Sequence, residues 1–387
     1  MTDPVLRIKN LSFSFDDDLL KRINLELSAQ EIVLINGKSG CGKTTLLRLI
    51  YGEIGEDEQW NSIHLSGRKE TAPYQWKQSD WIGFVQQDPE MQICTNRIED
   101  EIRFGLENIE LDSDEIEKRI DFYLDKLGLT ERREQSVHGL SGGQKQRLIL
   151  AAILAMQPKL VLLDEPLAQL DQFAAAEFTD FLDQMRREQH CSFIIVEHRT
   201  EQLEAIADQK FTLEEGRLKS YRAYPERYRS LELPATDSRV LHTTGLSFRI
   251  DDIPILRQIN FTVNAGDCIA LLGENGSGKT TLIQALAGLL SCQGTVEISE
   301  SFAVVFQNPD LMLIENSVKR EIPDKEIIAA MDLLDHRKHH PLILSKGQRL
   351  RAAVGSILKR GMDLLILDEP TSGQDIDHIN QMLNAIE

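Results

Sequence analysis

The sequence predicts an α/β protein built from two copies of one plan, and three observations predict it. A glycine-rich loop, GKSGCGKTT at 37–45, returns as GENGSGKTT at 273–281. An apolar run closed by two carboxylates, LVLLDEP at 160–166, returns as LLILDEP at 364–370. Each loop stands between a short apolar run and a helical pattern, the strand, turn and helix order that a phosphate-binding loop requires. A length of 387 residues with 41% hydrophobic content leads one to expect two to three domains. The repeat settles on two, at 1–221 and 239–387, with a polar, proline-containing linker at 222–238. A coil of roughly 20 residues reaches about 25 Å, and tethering on that scale gives an effective concentration near millimolar, so pairing of the two domains within one chain is favoured.

The first copy begins with residues 32–35, an apolar run of strand length. Gly37, Lys38, Ser39, Gly40, Cys41 and Gly42 form the turn, and a helix opens at Lys43, Thr44 and Thr45. The glycines let backbone N–H groups turn inward, and the helix start presents its positive end to an anion. Residues 113–127 place Ile116, Ile120, Tyr123, Leu124 and Leu127 on one helical face, with Asp112 or Ser113 as cap and Gly128 as stop. A further helix is predicted from Ser141 to Pro158, rich in Leu and Ile from Leu148 onward. The domain closes with FTLEEGRLKSY at 211–221, a strand, a glycine turn and a second short strand. The second copy is expected to repeat the strand, loop and helix over 269–287, with Gly273, Glu274, Asn275, Gly276, Ser277 and Gly278 in the loop and Lys279, Thr280 and Thr281 opening the helix.

A net charge of −19 disfavours bare electrostatic attraction to nucleic acid, and no nucleic-acid partner is expected. No run approaches 18 apolar residues and the N-terminus lacks a signal-peptide pattern, so the chain reads as soluble and cytosolic. The five cysteines are scattered without metal-ligand spacing. Cys41 alone lies in a phosphate loop, either as a small filler of a tight turn or as a thiol activated by Lys43 and the helix start.

LSGGQKQ at 140–146, between a phosphate loop and LVLLDEP, resembles the signature of ATP-binding-cassette (ABC) ATPases, and the resemblance spans nearly the whole chain. It implies two tandem P-loop NTPase domains, each with a RecA-like core, an antiparallel β subdomain and a helical signature subdomain. It also implies ATP and Mg²⁺ as cofactors, with the domains packed head to tail and each ATP held between one phosphate loop and the other domain's signature. Ser141, Gly143 and Gln144 are suited to clasping a γ-phosphate through a hydroxyl, a close backbone approach and an amide. By the same resemblance Lys43 reaches the β- and γ-phosphates, and Thr44 and Asp164 hold Mg²⁺. Glu165 activates water, Gln87 senses Mg²⁺ and the γ-phosphate, and His198 is the switch histidine. Phe15 stands where an aromatic stacks on adenine, and Asp171 matches the D-loop.

The second copy carries Lys279, Thr280, Gln307, Asp368, Glu369 and Asp375 in matching places. Its signature is LSKGQ at 344–348, keeping Ser345, Gly347 and Gln348 but placing Lys346 at the position of Gly142. Ile250 replaces the adenine-stacking aromatic, and the sequence stops at Glu387 before a strand that would end in a switch histidine. The expectation is a truncated second domain with an open apolar edge, and hydrolysis mainly at the Glu165 site.

The stretch DPEMQICTNRIEDEIRFGLENI at 88–109, directly after Gln87, resembles the coupling region of energy-coupling-factor (ECF) importer ATPases, as does EHR at 197–199. That resemblance implies an ATPase at the cytoplasmic face of the cell membrane. Its partners would be an integral membrane scaffold subunit and a separate substrate-capture subunit for a vitamin or metal ion. The second copy has NPDLMLIENSVKREI at 308–322 and nothing like FGLEN, which predicts unequal coupling surfaces. The alternative is a soluble twin-cassette factor acting on ribosomes or DNA. Such factors usually carry a long charged arm or a cysteine-rich module, and this sequence has neither.

Overall fold

The computed structural model describes residues 3–14, 18–55, 59, 62–66, 81–109, 111–168, 170–223, 236–251, 253–273, 276–358, 361–371, 374 and 376–386. Phe15, Glu274, Asn275, Asp375 and linker residues 224–235 lie outside them, as does the side chain of Lys346. The chain divides into two compact units, 1–224 and 225–387.

Unit one runs β1 (Leu6–Ser14), β2 (Asp18–Leu27), β3 (Ile32–Asn36), α1 (Lys43–Tyr51), β4 (Ile63–Leu65), β5 (Ile82–Val85), α2 (Ile98–Leu106), α3 (Ser113–Leu127), α4 (Gly142–Ala155), β6 (Leu160–Asp164), α5 (Gln172–Gln189), β7 (Ser192–Val196), β8 (Gln209–Glu214) and β9 (Arg217–Ser220). Its main sheet has the order β5-β6-β7-β3-β8-β9, parallel except for the β8–β9 hairpin. A smaller antiparallel sheet has the order β2-β1-β4. The central strands read as unbroken apolar runs because both faces of the main sheet are covered. Ile32, Leu34, Val161, Leu163, Phe193 and Ile195 join the core on the α3–α4–α5 side. Val33, Ile35, Leu160, Leu162, Ile194 and Val196 join the core under α1 and the antiparallel sheet. Strand alternation thus feeds two cores from one set of strands.

The helix ends follow local chemistry. The Asp112 side chain caps α3 by accepting from the N–H of Glu115, and Gly128 stops it at a left-handed φ of 65°. Ser141 caps α4, and four ion pairs join Arg103 and Arg133 to Glu99, Glu117 and Asp121, tying α2, α3 and the turn that follows them.

Unit two runs β10 (Arg239–Ile250), β11 (Ile253–Asn264), α6 (Lys279–Leu286), β12 (Gln293–Ile298), β13 (Phe302–Val305), α7 (Val318–Glu321), α8 (Lys325–Ala330), α9 (Lys346–Leu358), β14 (Leu364–Leu367) and α10 (Ile376–Ile386). Its antiparallel sheet is β11-β10-β12, and its parallel sheet among the described residues is β13-β14 alone. The strand expected from residue 269 is not formed. Residues 269–273 carry no strand, and Ile269, Leu271 and Leu272 are exposed. In unit one the corresponding β3 lies between β7 and β8, whereas no strand among the described residues of unit two lies beside 269–272. An apolar run alone does not make a parallel strand, which needs neighbours to satisfy its backbone.

Candidate active site

Each glycine-rich loop ends in a glycine at a helix N-terminus, Gly42 with φ 102° before α1 and Gly278 with φ 95° before α6. That left-handed backbone lets the chain turn tightly from loop to helix, and a side chain there would be strained. Among the described residues neither N-cap glycine makes a side-chain cap, and each helix start presents its positive end to the loop. Lys43 Nζ folds over its loop to donate to the carbonyls of Gly37 (2.9 Å) and Lys38 (3.1 Å), and Lys279 Nζ donates to Gly273 (2.8 Å). The loops differ in surroundings. Lys43 is buried, whereas Gly276, Ser277 and Thr280 of unit two are exposed where the flanking strand is not formed. Thr45 and Thr281 are half-buried in the first helical turn, while Lys38, Ser39 and Gly40 are exposed at the loop tip.

The helix and the strand carrying the carboxylates meet through one hydrogen bond in each unit. Thr44 Oγ1 donates to Asp164 Oδ1 at 3.1 Å, and Thr280 Oγ1 to Asp368 Oδ2 at 2.9 Å. Burial, and then the neighbouring Glu165 carboxylate, push the Asp164 carboxyl up to about 6. A hydroxyl and a buried carboxylate are the hard oxygen donors that Mg²⁺ takes, and a cation there would relieve the cost of the buried charge. The residues therefore fit that ion.

Both glutamates after these aspartates adopt left-handed backbone, Glu165 at φ 47° and Glu369 at φ 49°. Such a conformation costs a non-glycine residue about 1–3 kcal/mol and persists only where the surroundings hold it. Here the Glu165 N–H donates to the Val196 carbonyl at 2.8 Å. Gln87 Nε2 donates to Glu165 Oε2, and Gln307 Nε2 to Glu369 Oε2, each at 2.7 Å. His198 Nε2 lies 3.0 Å from Lys43 Nζ and 2.9 Å from Glu165 Oε1. One ring nitrogen thus faces a donor and an acceptor, and its proton decides which it bonds.

Lys43, Thr44, Gln87, Asp164, Glu165 and His198 therefore converge on one site, and Lys279, Thr280, Gln307, Asp368 and Glu369 on a second. The signature residues form their own units. The Gln144 N–H donates to Ser141 Oγ while the Ser141 N–H donates to the Gln144 amide oxygen, and Ser345 and Gln348 close the same reciprocal cap. Gly143 packs where a Cβ would meet Ala174 and Leu170 at 3.3 Å, and Gly347 is buried. Asp171 caps α5 by accepting from Ala174 N–H at 2.9 Å. Burial raises the Cys41 thiol above its ordinary range despite Lys43 nearby, which fits a filler of the turn rather than an activated nucleophile.

Two buried carboxylates were not anticipated from the sequence. Glu197 is 1% exposed; its Oε1 accepts from the N–H groups of His198 (2.7 Å) and Arg199 (3.1 Å), and its Oε2 from that of Leu167 (2.9 Å). Burial and Glu165 hold its carboxyl above the usual range. Glu101 accepts from the Cys94 and Thr95 N–H groups and the Thr95 hydroxyl, fixing the loop between Gln87 and α2. Glu321 does the same for Ile314 and Glu315 in unit two. The repeat of the acidic residue at matching places, in RIEDEI and SVKREI, was the available signal.

Two phosphate loops, each joined to a carboxylate pair on a parallel strand, define a P-loop protein that hydrolyses ATP. The ABC transporter family pattern matches residues 20–168 and 256–372, and the chain belongs to that family. It is 31% identical to a Bacillus subtilis protein provisionally named an HMP/thiamine import ATP-binding protein, YkoD, covering 100% of this chain and 85% of that one. It is also 31% identical to a Methanosarcina mazei protein provisionally named an ABC transporter ATP-binding protein, covering 98% of this chain and 82% of that one. Among solved structures it resembles cbiO1 of Clostridium perfringens, part of the ABC transporter complex cbiONQ, with 31% identity and a TM-score of 0.51 over 56% of this chain and 88% of that one. No helix among the described residues is long and apolar enough to cross a membrane.

Proposed function

We propose that the chain is the ATP-hydrolysing subunit of a membrane importer of the ECF type, taking up a vitamin or a metal ion. ATP draws the two units together head to tail, and the movement passes to an integral membrane scaffold that works with a separate capture subunit. The observation that carries this reading is continuity between chemistry and docking surface. Gln87 bonds to the catalytic carboxylate Glu165, and the segment that follows presents Met91, 79% exposed, on the loop that Glu101 braces, and Phe104, 52% exposed, on α2. Unit two presents Leu311 and Ile314, 78% and 87% exposed, at the corresponding place. Large exposed apolar side chains grouped beside a site mark a partner surface. The two surfaces are unequal, since α2 has nine residues and α7 four. The names of YkoD, an import protein, and cbiO1, part of a transporter complex, support the same direction.

In this mechanism Lys43 and Lys279 exchange their loop carbonyls for β- and γ-phosphate oxygens. Thr44 and Asp164, with Gln87, would hold Mg²⁺ in unit one, and Thr280, Asp368 and Gln307 would hold it in unit two. The ion, when bound, neutralises charge on the phosphates. Glu165 and Glu369 orient water for attack, and Ser141, Gly143 and Gln144, or Ser345, Gly347 and Gln348, reach the γ-phosphate bound by the opposite unit.

Purification of the tagged full chain from detergent-solubilised membranes tests the proposal. Two integral membrane proteins are expected to co-purify, and Met91→Glu with Phe104→Glu should release them while leaving the free chain folded. Recovery of the chain with ribosomes instead, and with no membrane protein, would overturn it.

A further inference from the structure

Two side chains beside His198 bind together segments that the sequence holds 30 residues apart. Glu197 lies between the end of β7 and the start of the D-loop, one oxygen taking N–H groups from the histidine turn and the other the N–H of Leu167. Arg199 closes the same junction from outside, its Nη1 donating to the carbonyls of Leu167 (3.3 Å) and Leu170 (2.9 Å). Leu170 directly precedes Asp171, the cap of α5. On the other side of the turn, His198 meets Lys43 and Glu165.

We propose that Glu197 and Arg199 are positioning residues that fasten the D-loop to the turn carrying His198, so that imidazole, catalytic carboxylate and D-loop move as one piece during turnover. The inference rests on the reading that His198 and Glu165 act on bound nucleotide. A buried carboxylate is costly unless several donors satisfy it, and this one draws its donors from both segments. Separating the segments would strip the charge of part of its solvation, so the fully bonded arrangement is held stiffly. Neither residue touches the substrate position. Their effect reaches the chemistry through the placement of His198 and of the chain after Glu165.

Replacing Glu197 by Gln is a sharp test, because the amide matches the carboxylate in shape but has one acceptor. Its NH₂ must face either Leu167 N–H or the His198 and Arg199 N–H pair, so the bridge holds on one side only. In the full chain with Mg-ATP, Glu197→Gln is expected to lower kcat by about 10–100-fold, the loss of one hydrogen bond to a buried charge felt in the transition state, with KM for ATP changed less than about threefold. Arg199 is exposed, so Arg199→Ala should fold normally and lower kcat by about 3–10-fold, again with KM nearly unchanged. Thermal unfolding of each variant separates these effects from loss of fold, and Arg199→Ala decides if Glu197→Gln does not fold.

In a His198→Ala background, Glu197→Gln should cost clearly less than it does with His198 present, since the part of its action that runs through the imidazole is already lost. Fully additive losses, or wild-type kcat in Glu197→Gln or Arg199→Ala, would overturn the proposal. Undiminished turnover in Glu165→Gln or His198→Ala would instead mark failure of the underlying site assignment.

Discussion

Glu165 and Glu369 share more than a sequence motif. Each takes up a strained left-handed backbone and each accepts from a glutamine that lies just before the segment read as coupling region. Their surroundings differ, since Glu165 also faces His198 and lies among buried strands, while β14 in front of Glu369 is half-buried. Glu165→Gln is therefore expected to reduce phosphate release by about 10²–10⁴-fold, the range for removing a general base, and Glu369→Gln by less than about tenfold. Steady-state phosphate release with saturating Mg-ATP checks this, and the reverse ranking would place the main site in unit two.

Among the helices, those of unit one are set by their ends as much as by their faces. In α3 the Asp112 cap and the Gly128 stop coincide with the limits of its apolar face, whose Ile116, Ile120, Tyr123 and Leu124 are all buried. Replacing Asp112 by Ala removes an acceptor for the Glu115 N–H and should cost about 1 kcal/mol, read as a lower denaturant midpoint with an unchanged slope. The loop before α2 depends on a less local device. Glu101→Ala would leave the N–H groups of Cys94 and Thr95 without their acceptor, which predicts a loss of about 2–4 kcal/mol in the same measurement. That loss exceeds the expected cost of the cap because Glu101 is buried and Asp112 lies at the surface.

Across the full chain, the two units differ in how much sheet they build. Unit one covers a six-stranded sheet on both faces, whereas the parallel sheet of unit two has two strands among the described residues and Ile269, Leu271 and Leu272 lie exposed. Chemical unfolding should show two transitions, unit two first, resolved by following tryptophan fluorescence, which arises from unit one alone since it holds all three tryptophans, against far-ultraviolet ellipticity. Mg-ATP at about 100 times its dissociation constant should stabilise unit one by about 2.7 kcal/mol, raising its thermal midpoint by roughly 5–10 °C. EDTA should remove much of that shift and all hydrolysis. A single transition indifferent to Mg-ATP would contradict this division.

What was legible in the sequence was whatever neighbouring residues decide among themselves. The phosphate loops, the cap and stop of α3 at Asp112 and Gly128, the helix after Ser141, and the strand bearing Asp164 all follow from glycine torsions, short side-chain hydrogen bonds and apolar periodicity within a few positions. Tertiary structure decided the rest. The run at 269–272 has the composition of a strand and is not one, because a parallel strand exists only where others satisfy its backbone. Glu197 reads as one more acidic residue until folding brings Leu167 to it, and the bridge it makes depends on the approach of two segments that no local rule predicts.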